Sequence, residues 1–112
     1  MDKRYIKNLE IAKTFDFAGA IDYQPGKVVS STFVQNEAVS ITLFAFAGGE
    51  GISTHAASGD ALVYILDGTA DITIGEETVT ASKGQAVVMP ANVPHGLEAV
   101  DNFKMLLIVA KK

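Results

Sequence analysis

From residue 25 onward a turn-forming residue interrupts the chain every six to twelve positions, and no window holds a helical period. Between the interruptions lie short runs rich in β-branched and aromatic residues: Val28–Gln35, Val39–Phe46, Ala61–Leu66, Thr69–Ile74, Thr78–Ala81, Ala86–Met89, Gly96–Ala99 and Phe103–Ala110. Pieces of this length cannot build a helical core, so the pattern predicts an all-β sandwich or barrel. Tyr23-Gln24-Pro25-Gly26 predicts a type II turn, with Pro setting one φ and Gly taking the positive one. Asn36-Glu37-Ala38 and Gly75-Glu76 predict hairpins. Asp67-Gly68 predicts a type I′ hairpin joining Ala61–Leu66 to Thr69–Ile74. Gly48, Gly49 and Gly51 read as an interruption. Residues 1–22 are less regular, and Tyr5, Ile6, Leu9 and Ile11 fit a short helix or a peripheral strand equally well.

With 112 residues the chain has room for one domain, and 48% hydrophobic residues are enough for a core. It has no cysteine, which removes disulfides, zinc–thiolate sites and thiol nucleophiles. The longest apolar runs, such as Met105–Ala110, fall far short of the roughly 20 residues that cross a bilayer. The first ten residues lack the apolar stretch of a signal peptide, so a cytoplasmic location away from membranes is expected. Arg4 is the only arginine, and no lysine lies between Lys27 and Lys83. Such a chain has no basic groove for nucleic acid and disfavours strongly anionic ligands. Residues 1–27 read as an N-terminal segment packing on the barrel or on a partner subunit, and 28–112 as the barrel.

The two histidines stand in specific strings. One is Gly49-x5-His55, followed by Gly68; the other is Gly84-x5-Pro90-Ala91-Asn92-Val93-Pro94-His95. Over roughly residues 28–110 these strings resemble the two motifs of the single-domain cupins. The resemblance implies a small jelly-roll barrel of RmlC-like type with a site inside, reached by His55 and His95. Asn92 stands where the family usually has glycine, and asparagine is the side chain that best tolerates left-handed backbone. The family's usual metal site has three histidines and a glutamate. By the resemblance, His55 and His95 fill two of those positions as candidate ligands for a divalent transition metal, while Ala57 and Ala61 stand at the other two. Strand alternation puts residues 53, 55 and 57 on one face. It leaves Asp60 one residue out of phase with Ala61 and sends Glu98 to the face opposite His95.

These residues support a barrel that binds a small, roughly neutral molecule in a cavity lined by His55, Ala57, Ala61, Val63 and His95. The two alanines either open that cavity or leave space that Phe44, Phe46, Met89 or Met105 fills. An alternative is a metal-dependent cupin enzyme of dioxygenase, isomerase or decarboxylase type. There His55 and His95 would be ligands, with substrate or Asp60 completing the shell. A third reading is a dimeric scaffold with a closed interior. The residues identify no catalytic group, and whether the chain is an enzyme stays open. Ala61–Leu66 is apolar on both faces, so its outer face needs a cover: a second sheet, the N-terminal segment or another subunit. A homodimer is the expected assembly.

Overall fold

The computed structural model describes residues 4–111. The strands are β1 (Val28–Gln35), β2 (Val39–Phe46), β3 (Gly51–His55), β4 (Asp60–Asp67), β5 (Thr69–Ile74), β6 (Glu77–Ser82), β7 (Ala86–Met89), β8 (His95–Ala99) and β9 (Phe103–Ala110). They form two antiparallel sheets, in the orders β1-β2-β9-β4-β7 and β3-β8-β5-β6. The expected all-β jelly-roll architecture is present. A single 3-10 turn, Phe17–Gly19, is the only helical element among the described residues, and none of these forms a helix able to cross a membrane.

Alternation along each strand separates an inner from an outer face. Ala61, Val63 and Ile65 of β4 are buried, while Leu62 and Tyr64 between them are exposed. The five-stranded sheet supplies the bulky inner residues Phe46, Val63, Met89, Phe103 and Met105. The four-stranded sheet answers with Ile72 and Leu97 set among Ala70, Ala81 and Ala99. Large groups facing small ones lets the sheets interdigitate at core density. Phe46 and Phe103 are cross-strand partners whose rings stack at 4.5 Å with planes 5° apart.

A second cluster lies on the outer face of the five-stranded sheet. There Phe33, Leu43 and Ala45 are covered by Leu9, Phe17, Ile21 and Tyr23 of the N-terminal segment. Polar contacts hold that segment down, among them Asn8 Nδ2–H donating to Thr32 O at 2.7 Å. Lys7 N–H donates to Phe33 O at 2.8 Å, the Tyr23 hydroxyl donates to Asp67 Oδ2 at 2.5 Å, and Lys104 Nζ donates to Ala18 O at 2.5 Å. Lys104 Nζ also lies 4.8 Å from the Tyr23 ring centre, a cation–π distance.

The expected turns form at Gln24–Lys27, where Lys27 N–H donates to Gln24 O at 3.1 Å, and at Asn36, whose Oδ1 accepts from Ala38 and Val39 N–H. The expected interruption forms at Gly48-Gly49, a turn between β2 and β3, and β3 begins on Gly51 itself. One expectation fails. Asp67-Gly68 makes no hairpin, because β4 and β5 belong to different sheets. Both flanks of β4 are taken by β7 and β9, and both flanks of β5 by β6 and β8, so the two strands cannot pair. Gly68 is instead the corner between the sheets. Its φ is +74°, and a Cβ there would lie 1.9 Å from Asn102 O.

Candidate functional site

His55 closes β3 and His95 opens β8, and the two are directly opposed across the antiparallel pairing. Their ring centres are 4.6 Å apart with planes at 64°, an edge-to-face contact. Ile52 opposes Leu97 while His55 opposes His95, so three steps on β3 match two on β8. The extra residue is a bulge at Ser53–Thr54, and it reverses the alternation beyond it. The residue sharing the inner face with His55 is therefore Ile52. Ser53, which simple alternation places in phase with His55, lines a shallow groove on the outer surface with Asp71, Thr73 and Glu98. Glu98 is exposed while Leu97 and His95 are buried, so it faces away from the pair as expected.

Each imidazole is oriented by its own backbone. His55 Nδ1–H donates to Ser53 O at 3.0 Å, and His95 Nδ1–H donates to Val93 O at 3.1 Å. A carbonyl oxygen only accepts, so in the neutral rings the hydrogen sits on Nδ1 and the lone pair on Nε2. His95 is 4% exposed, whereas His55 is open to solvent. Among the described residues no buried side-chain nitrogen or oxygen lacks a partner. His95 makes its hydrogen bond through Nδ1, and its Nε2 is not sealed off from solvent.

Loops at this end of the barrel are tied around it. Asn92 adopts φ +64°, the left-handed backbone expected of it, and its N–H donates to Ala57 O at 2.7 Å. Gly75 N–H donates to Pro94 O at 2.8 Å, and Ala91 N–H donates to Asp60 Oδ1 at 2.7 Å. β3 ends at His55, so Ala57 is a half-buried loop residue and alternation cannot be carried through to it. Ala61 and Val63 lie deeper, inside the core cluster with Phe46, Met89 and Met105. Ile74, the cross-strand partner of His95, completes the apolar floor with Ile52. Neither isoleucine stands out in the sequence: a bulge leaves no local signature at Ile52, and Ile74 is remote from the histidines in the chain.

A three-histidine-plus-glutamate metal site does not fit this donor set. Among the described residues no group of three or more His, Cys, Asp or Glu side chains converges to hold an ion. The carboxylate of Asp60 is engaged by the Ala91 amide, and that of Glu98 faces the other way. What converges is two imidazoles above apolar side chains.

The chain matches the family model "Cupin domain" over residues 42–110. It is similar to the crystal structure of the conserved SPY1581 protein of Streptococcus pyogenes, a protein of unknown function. The two share 43% identity and a TM-score of 0.96, covering 98% of this chain and 96% of that one. A cupin superfamily protein of Desulfitobacterium hafniense is 32% identical with a TM-score of 0.91, covering 96% and 98%. The uncharacterized protein SCO3923 of Streptomyces coelicolor is 29% identical over 77 residues, 69% of this chain and 73% of that protein. A barrel of this topology, with both histidine strings in place and a family match across the strands that carry them, makes the chain a member of the cupin domain family.

Proposed function

We propose that the barrel binds a small, uncharged molecule bearing hydroxyl or amide hydrogens at the mouth formed by His55 and His95. The observation that carries this reading is the anchoring of both Nδ1–H groups on backbone carbonyls. Each Nε2 is left as an acceptor, so the complementary ligand supplies donors. The floor of Ile52, Ile74 and the core below it is apolar, which suits the carbon skeleton of such a molecule and disfavours a net charge. Among the described residues the metal-dependent enzyme reading has no converging carboxylate or third imidazole to support it.

A thermal-shift screen of polyols, sugars and amides, without added metal, tests the proposal. A ligand at 100 times its Kd raises the stability of the folded state by about 2.7 kcal/mol. The expected result is a rise in Tm that His55→Ala abolishes while the unliganded Tm stays unchanged, since His55 is exposed. No shift at millimolar concentration across the library, or a shift that survives His55→Ala, refutes the reading. A shift that needs a divalent metal and disappears in His55→Ala restores the metal alternative.

A further inference from the structure

The bulge that turns His55 to the inner face has a counterpart on the neighbouring strand. Between Ile52↔Leu97 and His55↔His95, β3 has two residues, Ser53 and Thr54, where β8 has one, Gly96. In a regular antiparallel ladder a side chain at 96 would stand beside a cross-strand side chain about 4.5–5.5 Å away. Here backbone takes that place. A Cβ built on Gly96 would meet Ile52 O at 3.0 Å, Thr54 N at 3.2 Å and Thr54 Oγ1 at 3.2 Å, all of them atoms of β3 at the bulge. The φ of Gly96 is not in the left-handed region, so no backbone angle calls for glycine there. What requires it is the space that the bulge occupies.

We infer that Gly96 is a positioning residue for the histidine mouth: its missing side chain admits the bulge, and the bulge aims His55. This rests on the reading of the His55–His95 pair as the binding site. Without the extra residue, pairing would run on from Ile52↔Leu97 to Ser53↔Gly96 and Thr54↔His95. Directly opposed residues share a face of the sheet. Thr54 would then point inward beside His95, and His55 would point outward. The bulge also supplies the anchor of the imidazole. Neither Ser53 nor Thr54 has a partner in the β3–β8 ladder, and Ser53 O accepts the His55 Nδ1–H at 3.0 Å. One glycine on β8 therefore governs where His55 points and which of its nitrogens carries the hydrogen.

Imidazole NMR on the ligand-free protein tests this, and with two histidines in the chain both rings can be followed. In the unaltered protein a cross-peak between the two rings and one between Thr54 N–H and Gly96 Hα are expected; absence of the second removes the bulge and overturns the inference. In Gly96→Ala the ring cross-peak should be lost and the His55 nitrogen signals should move, while His95, still held by Val93 O, keeps its pattern. Alanine for glycine at an unstrained position raises stability by restricting the unfolded chain, whereas here the Tm should fall. Unchanged His55 signals with an equal or higher Tm overturn the proposal. Rescue separates this role from packing alone. Deleting Ser53 gives β3 and β8 equal numbers of residues, so Ile52 and His55 keep their partners with no bulge. In that background Gly96→Ala should leave the ring cross-peak and the Tm unaffected. A loss as large as in the unshortened chain places the defect in β8 itself and overturns the inference. If Gly96→Ala does not accumulate as folded protein, deleting Ser53 should restore it, and failure to do so has the same meaning. None of these signals needs a ligand, so they stand or fall separately from the binding reading that the thermal-shift screen tests.

Discussion

The turn at Gly75 and the corner at Gly68 both take left-handed backbone, at φ +61° and +74°, yet they direct the chain to different places. At Gly75 the chain folds back on itself, and β5 pairs with β6 from Ile74↔Glu77 to Thr69↔Ser82. At Gly68 it leaves one sheet for the other. The nearest atom to a Cβ built at Gly75 is a side-chain methyl of Val93 at 3.7 Å, ordinary contact. At Gly68 the nearest is a backbone oxygen at 1.9 Å, with Phe103 Cα at 2.8 Å. One glycine is required by a dihedral angle alone. The other is required by that angle and by a second strand passing directly against it.

This difference is measurable. Gly68→Ala combines a left-handed alanine with a clash against backbone that cannot swing aside, and should cost about 3 kcal/mol or more. A shift in the urea midpoint reads this, or failure to accumulate folded protein. If Gly68→Ala proves no worse than Gly75→Ala, the corner is not the close approach described here. Next in size is the clamp beside the corner. Burial and the hydrogen bond to Asp67 push the Tyr23 phenol well above its ordinary value of 10.0. The folded state therefore favours the protonated phenol. Its contribution is complete below about pH 10, where the unfolded chain is also protonated, and is lost as pH rises beyond it. Tyr23→Phe should cost about 1 to 2 kcal/mol at neutral pH. It should also flatten the loss of stability above pH 10 in a series of denaturant titrations, and an unchanged alkaline slope would contradict the assignment. Gly75→Ala, which meets only the dihedral cost, should lower stability by about 1 kcal/mol. Smallest is Asn92→Gly. It relieves a φ of +64° but adds freedom to the unfolded chain, so the midpoint should move by less than about 0.5 kcal/mol.

Much of the fold is visible in the chain itself. The bounds of β1, β2, β5, β7 and β9 coincide with the apolar runs between turn residues, because in these segments local β propensity and tertiary pairing agree. The left-handed Asn92 is legible for the same reason: side-chain chemistry and backbone angle are coupled within one residue. β3 is harder to read. It starts on a glycine and contains a bulge, and its strand character comes from β8 beside it rather than from its own residues. The candidate site divides in the same way. His55 and His95 stand out by their flanking strings, whereas Ile52 and Ile74 join them only through register.

The linear order of apolar runs and turn residues by itself determined that this chain is an all-β barrel with two histidines in its distinctive strings. Those properties are local, governed by alternation, φ preference and composition over a few residues. Tertiary structure decided which strands are neighbours, that Asp67-Gly68 is a corner rather than a hairpin, and that a bulge brings His55 to the inner face. It also left part of the outer apolar face bare. Each of these depends on contacts between residues far apart in the chain, where occupied strand edges and excluded volume outweigh the preference of any single turn.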